Sequence, residues 1–355
     1  MASARGRAMG HPGFFDLDRR LEALSAKGDP LETIKTTVPW EEFREPIEAV
    51  TETKPEARKS SAGRKGYDAI LKFRMVVLQA LYNLSDEQLE VQVRDRLSFM
   101  RFLDLELHDP VPDATTIWLF REALVEAGLI EELFALFDRH LAAKGYIARG
   151  GQIIDATIVS APKQRNTREE NETVKAGETP KAWEKQPAKN SQKDKDARWT
   201  KKHGKSYYGY KNHIGVDKAH KIIRKWDATD ASVHDSQKLD DILDPSNTAK
   251  DVWADSAYRS AEIEQRLKQK GLKSRVHYRG ARNRPLSEKQ KAANTARSEV
   301  RARVEHVFGH QESSMGRKIV RTIGKARARF KIGMMNLGYN MRRLVQLERV
   351  AAAPA

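Results

Sequence analysis

The chain has no cysteine among its 355 residues. That excludes disulfides, cysteine-based zinc fingers and thiol catalysis. It also has no apolar run approaching the ~20 residues of a membrane span. The first fifteen residues, "MASARGRAMGHPGFF", carry arginines but no apolar stretch, so they do not read as a secretory signal. These absences predict a soluble cytoplasmic protein with no membrane partner. A more local shortage lies between Lys163 and Lys205. This stretch has 13 Lys and Arg, 7 Asp and Glu, and almost no aliphatic side chains. It reads as a charged loop at 163–205, unable to bury a core and either mobile or ordered only on a polyanion.

What the chain has in excess is positive charge, a net +16 with a pI near 9.8. From Arg279 to Arg349 there are 18 Lys and Arg against 5 Asp and Glu. The charge is thus concentrated in a region whose apolar, helix-like segments look folded, and it points to nucleic acid as partner.

Residues 14–58 read as short helices, with Leu17, Leu21 and Leu24 at helical spacing before a Gly-Asp-Pro stop. Residues 66–146 read as a helical domain. Ile70, Phe73, Val77 and Leu81 lie along one face, Ser85 with Gln88 forms a capping-box pattern, and Asp113 is a further N-cap. Short helices with tight joins fit a helix-turn-helix and equally a plain helical bundle. From Gly151 the pattern changes to strands at 152–161, 206–217, 221–229, 251–260 and 274–280, with helices at 235–244 and 261–270. The result is an α/β layout with a mixed sheet, preceded by an all-helical N-terminal domain.

Within this layout Asp155 occupies an otherwise apolar strand, "QIIDATIVSA", where a lone ionised carboxylate is very costly unless a cation, hydrogen bonds or a metal offset it. Asp255 ends "VWAD", at a strand C-terminus, where open α/β sheets bind ligands. Glu305 lies on an amphipathic helix whose stripe is Val300, Val304, Val307 and Phe308, with Arg301 one turn before it. Two strand carboxylates and one helix carboxylate suit a pair of Mg²⁺ ions ~3.5–4 Å apart acting on a phosphodiester. A solvated Glu305–Arg301 surface pair is the plainer reading of the helix. Spacing alone is weak evidence, since the chain has 49 acidic residues.

Taken in order, "IIDATIVSAP", "GYKNHIGVD", "VHD" at 233–235, "ADSAY", "RVEHVFG" and "LGYNMRRL" resemble the DDE transposases of bacterial insertion sequences, most closely the insertion-sequence-5 family. "FFDLDRRLEALSAKGDPLE" and "FRMVVLQALYNLSDEQLEVQVRDRLSFMRFLDL" resemble that family's helical N-terminal region. The resemblance implies an RNase H-like catalytic core over 149–349, with Asp155, Asp255 and Glu305 as the catalytic, metal-binding triad. The residues themselves divide the rest into a helical arm over 1–60, whose Leu17/Leu21/Leu24 helix is too short to stand alone and suits dimerisation, a helical DNA-binding domain over 61–148 and a tail at 350–355.

The family signature around the glutamate is Tyr, two residues, Arg, three residues, Glu, six residues, Lys. Here Arg301 and Glu305 match, while Ser298 and Glu312 stand at the Tyr and Lys positions. Arg301 therefore carries over as a DNA contact, and Lys318 or Arg317 is the candidate substitute for the lysine. Lys205, Tyr208, Lys211 and His213 combine basic and aromatic character suited to DNA, or form an ordinary exposed strand face.

The implied activity is cleavage at the element's terminal inverted repeats and joining of the 3′ ends to target DNA. The implied cofactor is two Mg²⁺, with Mn²⁺ able to substitute, and the implied working state is a homodimer on double-stranded DNA at the nucleoid. The alternatives are a nuclease of this fold without strand transfer, and a non-catalytic DNA-binding derivative.

Overall fold

The fold is described from a computed structural model, covering residues 13, 15–51, 66–202, 204–282, 284–316 and 318–353. Arg317 and the domain boundary placed at 60 lie outside these residues.

The N-terminal part is helical: α1 (Asp16–Ala26), α2 (Pro30–Thr37), α3 (Arg44–Thr51), α4 (Ala69–Tyr82), α5 (Asp86–Asp95), α6 (Leu97–Leu103), α7 (Ala114–Glu126) and α8 (Ile130–Ala143). The local signals hold. Ser85 and Gln88 form a full capping box on α5, and the Asp113 carboxylate accepts the Thr116 N–H at the start of α7. The predicted face of α4 is buried, but so are Met75, Val76, Leu78 and Ala80 on its other sides. Only Leu71, Lys72, Arg74 and Tyr82 keep partial exposure, and a helix buried on nearly every side belongs at the centre of a bundle.

Six strands follow: β1 (Gln152–Ser160), β2 (Arg198–Lys202), β3 (Lys205–Asp217), β4 (Ile223–Asp230), β5 (Asp251–Trp253) and β6 (Lys273–Ser274). β3 pairs antiparallel with β1, β2 and β4, whereas β5 pairs parallel with β1 and with β6. Leaving β2 aside, the strands lie in the order β4-β3-β1-β5-β6. This mixed sheet is that of an RNase H-like core. Gly151 enters β1 with φ +90°, and a Cβ there would stand 2.6 Å from the Asp251 carbonyl and 2.4 Å from the Trp253 ring. Only glycine lets the backbone leading into β1 approach β5 this closely.

Side chains alternate across β1. Ile154 faces a small cluster with Leu239, Ile242, Val252, Tyr258 and Ile263 of α12 (Ala261–Gln269). Ile153 and Val159 face the main core, on the side of α13 (Glu288–Ser313) and α14 (Lys325–Ala352). Asp155 shares that second face, which aims it at α13. The main core runs without interruption from Leu31 of α2 through the sheet to Leu344 of α14.

Four expectations change. The strand expected at 274–280 shrinks to β6 and the chain runs on without regular structure from Arg275. Residues 235–244 form two 3-10 turns, Asp235–Lys238 and Asp240–Ile242, instead of a helix. The strand after 250 ends at Trp253, so Asp255 caps a turn. The charged stretch after Lys163 is folded. It forms α9 (Arg168–Lys175), α10 (Lys181–Glu184), α11 (Pro187–Ser191) and β2 around a fully buried Trp183, whose indole N–H donates to Glu170 at 2.6 Å. A polar centre replaces the missing aliphatics, because the buried Asp194 carboxylate accepts the Tyr210 hydroxyl and the N–H groups of Asp196 and Ala197.

Candidate active site

β1 and β5 run parallel with Gln152 beside Val252 and Ile153 beside Trp253. The pairing ends there, and two residues on Asp255 caps the following turn, near enough for its charge to act on Asp155. Asp155 is 8% exposed; its Oδ1 accepts the Ala156 N–H at 2.8 Å and its Oδ2 accepts from Arg301 at 2.8 Å. Burial pushes the Asp155 carboxyl up to about 6 against the pull of Arg301, and the charge of Asp255 adds to the rise. Asp255 is part-buried and accepts the Ala257 N–H at 2.8 Å. Glu305 is exposed on α13, one turn beyond Arg301. The helix itself packs on both β1 and β5.

The other predicted residues divide sharply. Lys318 lies near Asp155: its Nζ donates to Thr157 at 2.9 Å, two residues along β1 from Asp155, and lies 3.7 Å from Glu312. Burial lowers the Lys318 ammonium below its usual range, opposed by the charges of Glu312 and Glu305. Lys205 is exposed at the start of β3.

His213, Lys211 and Tyr208 do not face a DNA surface. His213 is fully buried against the Thr229 hydroxyl at 2.8 Å, and burial pushes it down to about 4. Lys211 is tied to the Val233 carbonyl at 2.7 Å and to Asp235 at 2.8 Å. Tyr208 is buried and donates to the Asp194 carbonyl at 3.0 Å. β3 is a central strand, so the face that looks exposed in sequence is covered.

Two further residues join the site. The Tyr258 hydroxyl is buried without a hydrogen-bond partner, and its acidity is lowered by burial and then by the charges of Asp155, Asp235 and Asp255. The His277 N–H donates to the Ala254 carbonyl at 3.1 Å, next to Asp255, and its ring lies 3.5 Å from Ser298. Burial and the charges of Arg301 and Arg297 lower the His277 ring below its usual range. Tyr258 lay in plain view in "ADSAY", whereas His277 had no local signal.

Among the described residues no three acidic or histidine side chains converge closely enough, as they stand, to hold an ion. The donor chemistry nevertheless fits a hard divalent cation. One oxygen-bearing side chain, buried and raised, lies within β1, a second caps the turn after the adjacent β5, and a third is on the helix packed over both strands.

The mixed sheet with its flanking helices is an RNase H-like core. Residues 148–341 match the family described as "Transposase DDE domain" and residues 19–123 match "Transposase domain (DUF772)". The first match covers more than half of the chain, and the chain belongs to the DDE transposase family. A solved structure, the cryo-EM structure of piggyBac transposase in a synaptic complex with hairpin DNA, aligns over 92% of this chain and 82% of its own. The TM-score is 0.43 at 12% identity, a loose likeness from which nothing further follows. No helix of the described residues is long and apolar enough to cross a membrane.

Proposed function

We propose that this transposase binds the terminal inverted repeats of an insertion sequence, cleaves there, and joins the freed 3′ ends to target DNA. Asp155, Asp255 and Glu305 are the residues proposed to hold two divalent cations, Mg²⁺ or Mn²⁺. Such ions supply activation of the attacking oxygen and stabilisation of the leaving oxygen. The observation that carries this reading is that β1, with Asp155, and β5, which leads to Asp255, pair beneath the helix that bears Glu305, with the charge of Asp255 acting on Asp155. Lys318 is proposed to stand in for the signature lysine, supported by its place beside Thr157 and Glu312. Lys205 is proposed to contact DNA phosphate.

The working form is proposed to be a homodimer on DNA in the bacterial cytoplasm. Helix α1 is the candidate contact, because none of its residues is fully buried in the single chain. The test is a strand-transfer reaction with a pre-cut element end, a target duplex and Mg²⁺. Joined product is expected. Hydrolysis of intact ends with no joining of pre-cut ones would leave a nuclease of the same fold.

A further inference from the structure

Arg301 stands where a cation belongs. Its guanidinium holds Oδ2 of Asp155 at 2.8 Å while the Ala156 N–H holds Oδ1, so both oxygens of this carboxylate are engaged. The pair joins residues 146 apart in sequence, and both side chains are mostly shielded, 17% exposed for Arg301 and 11% for Asp155. The guanidinium is nonetheless only partly used, since its Nε is buried with no hydrogen-bond partner. A second cation brought to Asp155 meets this guanidinium at close range, where shielding from water makes like-charge repulsion expensive.

The same guanidinium has another class of partner open to it. Its planar fork matches a phosphate in a two-point contact at least as well as a carboxylate. It sits one turn from the exposed Glu305, at the face where a DNA backbone must come if these residues act on it.

We propose that Arg301 is a latch: it occupies Asp155 in the DNA-free protein and releases it to a divalent cation when a DNA phosphate draws the guanidinium away. This rests on the reading of Asp155, Asp255 and Glu305 as metal-holding residues of a DNA-binding enzyme. Linkage makes the effect reciprocal, so DNA tightens metal binding and metal tightens DNA binding by the same factor. The latch would also keep the site from loading metal away from DNA. A purely structural ion pair would stay closed in both states and give no such coupling.

The test is a Mn²⁺ titration of the full chain, read by the electron paramagnetic resonance of free Mn²⁺. It is run without DNA and with a pre-cleaved end duplex that cannot turn over. For the wild type, Mn²⁺ binding should be about tenfold tighter with the duplex, within the usual span of coupling factors. Arg301→Gln, which keeps the shape and some donors but not the charge, should bind Mn²⁺ about tenfold tighter than wild type without DNA and respond less to the duplex. Arg301→Ala should do the same, with thermal unfolding run alongside to show that each variant is folded. Arg301→Lys, which keeps the charge, should remain latched. Equal DNA-free Mn²⁺ affinity for wild type, Arg301→Gln and Arg301→Ala, with Asp155→Asn weaker than all three, overturns the latch alone. If Asp155→Asn binds Mn²⁺ as well as wild type in both conditions, the metal-site reading itself fails.

Discussion

Asn212 of β3 and Asn336 of α14 exchange two hydrogen bonds across the core, Asn212 Nδ2 to Asn336 Oδ1 at 2.8 Å and the reverse at 3.0 Å. Gln311 of α13 donates to the same Asn336 oxygen at 2.9 Å. All three side chains are essentially fully buried. The network ties the central strand of the sheet to the two long C-terminal helices. Asn336→Leu strands two amides in an apolar setting and should cost about 2–4 kcal/mol, more than the net value of the bonds it removes. Adding Asn212→Val should cost less than the two single changes together. Denaturant unfolding of the four proteins in the cycle checks both.

Asp155→Asn, Asp255→Asn and Glu305→Gln each remove one charge with little change of shape. Each should lower cleavage and joining by at least about 100-fold, beyond what loss of a ligand's supporting partner costs, and leave binding of an element-end duplex largely intact. Gel-shift and cleavage assays on the same preparations separate the two properties. Near-normal Mg²⁺-dependent cleavage by any one variant removes that residue from the triad.

The Asp155→Asn variant should also be more stable than the wild type in EDTA. The folded carboxyl lies at about 6, above the ~3.9 of an unfolded chain. The folded state therefore holds this proton more tightly than the unfolded state does. Wild-type stability falls as pH climbs through that window, and the penalty is complete above it. Asn carries no such penalty and should gain about 2 kcal/mol at neutral pH, vanishing below pH ~4. Thermal melts across this range show whether the gap opens on the alkaline side.

Lys331 of α14 gives the opposite sign. It lines a cavity of about 160 Å³ with Arg121, Arg321 and Phe330, and burial pushes its ammonium down to about 8, with the charges of Arg121 and Arg321 adding. The folded state thus holds the proton less tightly than an unfolded chain, whose lysine titrates near ~10.4. Stability is lowest below pH 8 and recovers as pH rises toward that value. Lys331→Met should raise stability by about 2 kcal/mol at pH 7 and by little above pH ~10.5. An equal gain at both pH values would show that packing, not charge, is responsible.

Trp183 should be the anchor of the small unit inserted between β1 and β3. It is fully buried, and its N–H meets Glu170. Trp183→Ala should cost about 3–5 kcal/mol locally and open 163–205 to protease while the rest of the chain stays resistant. Limited proteolysis with mass spectrometry of the fragments reads this directly.

Legibility in the sequence tracked the kind of interaction involved. Short-range signals were clear: the caps at Ser85 and Asp113, the Ile70–Leu81 stripe, and the apolar strand around Asp155. What is held by polar contacts over long range was not. The 163–205 unit lacks aliphatics because its centre is Asp194, two tyrosines and one tryptophan. Composition therefore made it look unfolded. His213 and Lys211 looked like DNA contacts because a central strand with polar residues imitates an exposed one. Their partners, Thr229 and Asp235, come from segments that follow later in the chain.

Helix α14, the last element of the described chain, packs on α2, α4, α7 and α8 as well as on β4. Gly333 gives it contact close enough that a Cβ would reach Ile130 at 2.3 Å and Trp226 at 2.7 Å. Helices α2, α4, α7 and α8 therefore wait for a helix made after them to complete their packing. A chain interrupted anywhere before residue 325 lacks the central strut of its own N-terminal half. Synthesis order thereby becomes a quality filter: a product cut short of α14 can carry Asp155, Asp255 and Glu305 and still leave bare the faces of α4 and α8 that this helix covers.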